Sequence, residues 1–289
     1  MQFNIKTFLV CLMICLAPAL SAAQTAVKSA VWRLVWSDEF NKNGRPDPKN
    51  WDYETGFVRN EELQLYQPQN ARCRNGLLII EARRERLKNP DYQPGSPNWR
   101  TGREYAEYTS ASLITRNRHS WQYGRFEMRA RIDTRPGLWG AFWTLGVNGE
   151  WTMNGEIDIM EYYRGLLLAN VAWGGEKPGV PVWDAAEKPF TEFGDPNWSK
   201  KFHVWQMDWD EANIKLNVDG FLLNSTDLKD TYNRDTEKKN PFHQPHYLIL
   251  NLAIGGTQGG DPSKTDFPAK FEIDYIRVYQ KNNTETRTK

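Results

Sequence analysis

Gly155-Glu156-Ile157-Asp158-Ile159-Met160-Glu161 places three carboxylates among apolar, strand-forming neighbours. Strands are normally depleted in Asp and Glu, and crowded carboxylates repel and push one another's pKa values apart. Charges kept in such an apolar segment point to use rather than tolerance, whether in acid/base chemistry, metal binding or solubility. If residues 156–161 form a strand, simple alternation turns Glu156, Asp158 and Met160 to one face and Ile157, Ile159 and Glu161 to the other. Glu161 would then be buried unpaired beside two isoleucines, a loss of roughly several kcal/mol. One extra residue between Asp158 and Glu161, a β-bulge, returns Glu161 to the face of Glu156 and Asp158, and bulges concentrate beside active sites.

The expected geometry is therefore three acids in a row on one open face. Two glutamates flanking one acid suit retaining glycoside hydrolysis, in which a nucleophile and an acid/base stand about 5–5.5 Å apart. Asp158 would orient the nucleophile and help hold one shared proton in the cluster. Calcium is the chemical rival because it takes carboxylate oxygens, yet no Asn-, Asp- or Gly-rich loop surrounds these acids.

Outward from this stretch the chain alternates. Residues 126–133 are a clean period-2 pattern with one apolar and one charged face. Residues 214–218 alternate likewise and end in Asp219-Gly220, a hairpin signal, before Phe221-Leu222-Leu223 returns. Residues 247–254 and 271–279 are two further strands, and Leu77-Leu78-Ile79-Ile80 suits a strand buried on both faces. The stretches 89–102 and 255–262 are turn-rich connections. Many strands and almost no helical periodicity predict an all-β fold, a jelly-roll sandwich of two antiparallel sheets. No linker divides the chain, so residues 24–289 are expected to form one domain.

With 289 residues, a formal charge of +1, 39% hydrophobic and 25% charged residues, the composition is that of a soluble globular protein. The near-zero charge argues against nucleic-acid or anionic-membrane partners. Aromatic content departs from average: 13 Trp, 12 Tyr and 13 Phe. Such rings pack cores, and they also offer flat faces to sugars. At the amino terminus Lys6 precedes an apolar run over 8–16, then Pro18 and small residues over 19–23, which reads as a signal peptide cleaved near Ala23. The run is too short to span a bilayer. Export to the periplasm or the extracellular space is expected, and with it a monomer acting on a polysaccharide. Cys11 and Cys15 leave with the signal, so Cys73 is expected as a buried free thiol. Asn282 begins an N-x-T match, read as unmodified.

The ordered motifs resemble glycoside hydrolase family 16, in the bulged form of laminarinases and lichenases. Gly155 to Tyr162 looks like its active-site signature. Val35-Trp36-Ser37-Asp38-Glu39-Phe40 resembles its opening strand, and Asn60-Glu61-Glu62-Leu63-Gln64-Leu65-Tyr66 its cleft-lining segment. Tyr108-Thr109-Ser110-Ala111-Ser112, Tyr123-Gly124-Arg125-Phe126-Glu127 and Trp139-Gly140-Ala141-Phe142-Trp143 follow. Asn251-Leu252-Ala253-Ile254-Gly255-Gly256 and Asp274-Tyr275-Ile276-Arg277-Val278-Tyr279 close the pattern. The resemblance implies a concave sheet carrying a substrate cleft, with Glu156 as nucleophile, Glu161 as general acid/base and Asp158 as assisting acid. It further implies endo-hydrolysis of β-glucans containing 1,3-linkages, with retention and no catalytic cofactor. Many members carry a structural Ca²⁺, and Glu39, Gly76 and Asp274 stand where its ligands are expected.

Departures from the family pattern surround the site. Gly140 stands where laminarinases usually have Pro. Thr257-Gln258-Gly259-Gly260 replaces a run that often carries Trp. Asn170-Val171-Ala172-Trp173 lacks the His of many relatives. These changes leave the acids untouched and make mixed-linkage 1,3-1,4-glucan as good a substrate as laminarin. Agar or carrageenan hydrolysis and glycosyl transfer are the enzymatic alternatives. A non-catalytic sugar-binding jelly roll is the other class, from which loss of a paired glutamate would be expected. Trp139 and Trp143, four apart in a strand, share a face and form the expected stacking platform. Asn60, Glu62 and Gln64 alternate onto one face as hydroxyl partners, Trp173 and Gln258 are subsite candidates, and Trp121 and Trp183 are outer candidates. His119, His203, His243 and His246 form no ligand spacing.

Overall fold

The computed structural model describes residues 31–281 apart from Pro178; the expected signal segment and the Asn282 match lie outside the described residues. Alternation builds both sheets. In Gly124–Arg131 the apolar Phe126, Met128 and Ala130 are buried and Arg125, Glu127, Arg129 and Arg131 are half-buried, the period-2 pattern written into the sequence. This strand pairs antiparallel with His203–Trp209 on one side and Ala269–Lys281 on the other. The full sheet runs Phe221–Asp227, Asn213–Val218, His203–Trp209, Gly124–Arg131, Ala269–Lys281, Leu77–Ala82, Ala71–Arg74, with Trp32–Asp38 also paired to Ala269–Lys281. Asp219 and Gly220, with φ of +50° and +80°, make the expected tight hairpin within it.

The second sheet runs Pro181–Pro189, Leu166–Gly174, Glu156–Tyr163, Leu138–Gly146, His246–Ile254, Ser112–Ile114, Asp52–Glu54, again antiparallel throughout. Runs of consecutive hairpin strands, 138–189 in this sheet and 203–227 in the other, are joined to strands from distant parts of the chain, and the two inner faces meet in one apolar layer. Phe126, Met128, Trp205, Ile276 and Val278 from the first sheet pack with Phe142, Ile157, Leu250 and Leu252 from the second. The fold is the expected jelly-roll sandwich. Cys73 is a buried free thiol in that core, its pKa pushed up to about 12 by burial. Stability therefore rests on apolar burial, roughly 1.5–3 kcal/mol for each large side chain. Among the described residues, helices are single turns and none is long and apolar enough to cross a membrane.

Candidate active site

The strand Glu156–Tyr163 carries the anticipated irregularity. Toward Leu166–Gly174 its register reads Glu156 to Ala172, Asp158 to Asn170, then Glu161 to Leu168, so three residues on one strand span two on its partner. On its other side Trp143 pairs with Asp158 and Phe142 with Met160, the same one-residue excess. Ile157, Ile159 and Met160 all enter the core. Glu156, Asp158, Glu161 and Tyr163 line a cleft of about 760 Å³ on the outer face of the sheet. A bulge lets two consecutive apolar residues face inward and restores the acids to one side.

Each acid has its own surroundings. The Trp151 indole donates to Glu156 Oε2 at 2.6 Å, and the Trp139 indole donates to Glu161 Oε1 at 2.6 Å. Asp158, only 4% exposed, hydrogen-bonds Glu156 on one side and the Asn170 side chain on the other. Burial raises all three pKa values. The Asp158 carboxyl is pushed well above the usual carboxylate range by burial and by the charges of Glu156 and Glu161, which favours its protonated form. Glu161 is pushed up to about 8, by burial against the opposing pull of Trp139, with Glu156 and Glu62 adding repulsion. Glu156 is also raised by burial, but Trp151, Asp158 and the positive charge of Arg59 all favour its ionised form. Such a cluster can hold one acid protonated beside one ionised carboxylate, the requirement of paired acid/base chemistry.

The expected subsite residues divide. Trp139, Trp143, Asn60, Glu62 and Gln258 all line the cleft. Trp139 and Trp143 share a face as anticipated, yet they are only 6% and 7% exposed. Arg59 lies over the Trp143 ring, 5.0 Å from its centroid, and is ion-paired with Glu54. Trp143 donates its indole N–H to Asn251 at 2.7 Å. Its role is flooring rather than open stacking.

Gln64 is not a cleft contact. It is buried, donates to Glu62 Oε2 at 2.6 Å and accepts the Ile254 backbone N–H at 2.7 Å, so it props Glu62 from beneath. The strand expected over 60–64 begins only at Gln64, because Asn60 and Glu61 adopt left-handed φ of +54° and +51°. Trp173 is a second correction: it sits in the main core with Leu167, Ala169 and Val171. Asn170 pairs with Asp158 and faces the cleft, so alternation sends residue 173 inward. Trp121 likewise packs against the core, stacked on His119, whereas Trp183 does line the cleft.

The carboxylates expected to hold calcium are engaged elsewhere. Both oxygens of Glu39 accept from Arg277, at 2.9 and 2.8 Å, and Asp274 is paired with Arg129. Gly76 occupies a turn with φ of +76°. Among the described residues no three His, Cys, Asp or Glu side chains gather as a metal would need.

Sequence reading passed over Arg59, Trp151, Tyr163, Asn170 and Glu187, all of which line the cleft. Tyr163 was within reach, since it shares a strand and a parity with Glu161, whereas Asn170 meets Asp158 only through cross-strand register. Arg59 and Trp151 sit in connections, where alternation gives no signal.

A family profile described as Glycosyl hydrolases family 16 matches residues 59–277. A β-glucanase of Rhodothermus marinus is 37% identical over 268 residues, covering 84% of each chain. Among solved structures, the catalytic domain of an endo-1,3-β-glucanase (laminarinase) from Thermotoga petrophila RKU-1 is 34% identical, with a TM-score of 0.73 over 88% of this chain and 100% of that one. Another, from work on endo-acting O-glycanases that prominent human gut bacteria express to initiate mucin breakdown, is 35% identical, with a TM-score of 0.79 over 87% and 91%.

Proposed function

The chain belongs to glycosyl hydrolases family 16, and on that premise we propose that it is a retaining endo-hydrolase of β-glucans containing 1,3-linkages, laminarin or mixed-linkage 1,3-1,4-glucan. One observation carries the reading: the bulge sets Glu156 and Glu161 on one open face with surroundings that push their protonation apart. Ionised Glu156 attacks the anomeric carbon while protonated Glu161 gives its proton to the departing glycosidic oxygen. The resulting glycosyl ester on Glu156 is then opened by water, whose proton returns to Glu161. Asp158 keeps its own proton and directs it at Glu156, limiting the nucleophile to one orientation. No step in this scheme calls on a cofactor. Export after loss of residues 1–23 belongs to the same proposal and is read by the amino terminus of the mature protein.

A second substrate class is favoured by the TM-score of 0.79 to the O-glycanase structure, above the 0.73 to the laminarinase, and by the altered cleft residues Asn170 and Gln258. Mucin-type O-glycan chains therefore join the substrate panel. Reducing ends are measured on laminarin, lichenan, barley mixed-linkage glucan, agarose, κ-carrageenan and released mucin glycans. Hydrolysis of a glucan is expected; cleavage of mucin glycans alone would replace the first reading with the second. Early-time NMR of the product anomer tests retention, and an inverted anomer would refute the two-step scheme.

A further inference from the structure

The register across the cleft sheet draws three parallel rows of side chains from the catalytic strand to the sheet edge. Trp143, Asp158, Asn170 and Ala185 are paired in succession. On one flank Glu156, Ala172 and Trp183 follow one another, and on the other Glu161, Leu168 and Glu187. Directly paired residues project to the same face. The middle row is thus the floor of the cleft and the outer rows are its walls. At the catalytic strand the section reads carboxylate, Asp158, carboxylate; two strands on, about 10 Å away, it reads indole, alanine, carboxylate.

That outer section has the shape of a sugar site. Ala185 leaves room above the floor, Trp183 is 44% exposed and presents an indole, and Glu187 is exposed on the opposite wall. All three line the same cleft as the catalytic acids. Stacking is scarce elsewhere along it. Trp143 is roofed by Arg59, and Trp139 is nearly buried, in edge contact with Tyr163 and bound to Glu161. Trp151, at 45% exposure, is the other open indole of the cleft, and it is tied to Glu156.

We propose that the edge strand Pro181–Pro189 builds an outer subsite for one further neutral pyranose, lying over Ala185 with its apolar face on Trp183 and its hydroxyls donating to Glu187. An indole face recognises the C–H face of a sugar ring. A carboxylate accepts hydroxyl protons and repels an anionic substituent, so a sulfated or carboxylated ring is excluded there. Because Pro181–Pro189 is the last strand of the sheet, the site is filled only by chains long enough to reach it.

The inference rests on the proposed action on polysaccharide chains, and its test separates the two. On whichever polymer the wild type cleaves, kcat and KM are measured for a series of its oligosaccharides. Trp183→Ala is expected to raise KM about tenfold for chains that reach the edge, to leave kcat and the shortest substrates unchanged, and to be rescued by Trp183→Phe. Glu187→Gln should admit sulfated chains that the wild type rejects. Equal losses on short and long chains, or none on long ones, would overturn the subsite. Binding is read independently of hydrolysis by retention of the Glu156→Gln protein in gels containing each polymer, with and without Trp183→Ala. A wild type that cleaves nothing refutes the proposed function. Gel retention that is absent, or unaltered by Trp183→Ala, refutes the subsite.

Discussion

The two outer faces of the sandwich treat charge in opposite ways. On the sheet away from the cleft, carboxylates meet arginines across neighbouring strands: Asp208 takes Arg125 through two bonds of 2.7 and 2.8 Å, Glu39 takes Arg277, Glu272 takes Arg131 and Asp274 takes Arg129. On the cleft face the acids of Glu156–Tyr163 meet indoles, an amide and one another. Both faces follow the same alternation, so strand geometry alone does not distinguish them. Pairing does. A carboxylate with a guanidinium is held ionised, as the lowered pKa of Glu39 illustrates, its Arg277 hydrogen bonds outweighing burial. A buried carboxyl without one retains a proton, as Glu161 does up to about 8. A proton-holding acid can do chemistry that a neutralised one cannot.

The largest effect expected is at the proposed nucleophile. Glu156→Gln should lower kcat roughly 10⁴-fold or more, with the fold intact by circular dichroism; residual activity near wild type would remove Glu156 from its role. Deleting Ile159 attacks the bulge itself. Unbroken alternation would drive Glu161 into the core, so activity should vanish and Tm should fall by roughly 10 °C or more, given a burial penalty of several kcal/mol. A deletion protein that melts like the wild type would show that the extra residue does not set the face.

Next comes pH. Since Glu161, as the proposed general acid, must be protonated to act, kcat/KM should decline as pH rises through about 8. With substrates bearing a leaving group that needs no proton, Glu161→Gln should lose that alkaline limb; an unchanged limb would assign it to another group.

Smaller effects set the faces against each other in stability. The pKa of Glu161 is raised on folding, so its contribution is full below the unfolded carboxyl value and is lost as pH rises through about 8. Glu161→Gln should thus match the wild type in Tm near pH 4 and exceed it at pH 9. Glu39 has the opposite sign: its lowered pKa contributes above the unfolded value and is lost on acidification through the folded one. Glu39→Gln should melt below the wild type at pH 7, by about 2–4 °C for a contribution near 1 kcal/mol, and the gap should narrow as acid carries the protein below the ordinary glutamate range. Differential scanning calorimetry across pH decides both, and parallel profiles for the two variants would erase the contrast between faces.

Much of this was legible in the chain because its cause is local. Period-2 patterns announced Gly124–Arg131 and the hairpin at Asp219-Gly220, and the unacceptable burial of Glu161 announced the bulge. Legibility failed where a side chain's surroundings come from a distant strand. Trp173 and Trp183 are both tryptophans in alternating segments, yet one is core and the other wall, because register against Asp158 decides their parity. Gln64 and Glu62 looked equivalent, but the strand begins only at Gln64, and the fold places it beneath Glu62 as a buried donor.

The sequence by itself determined the all-β sandwich, the bulged strand and the identity of its three acids, since backbone alternation and the penalty of an unpaired buried carboxyl act over a few residues. Only the tertiary structure decided which acid keeps its proton, which indoles remain open and where the cleft ends. Those outcomes depend on cross-strand register, which brings Trp139, Trp151, Asn170 and Arg59 to the acids from separate parts of the chain, and on the burial that makes each such contact strong.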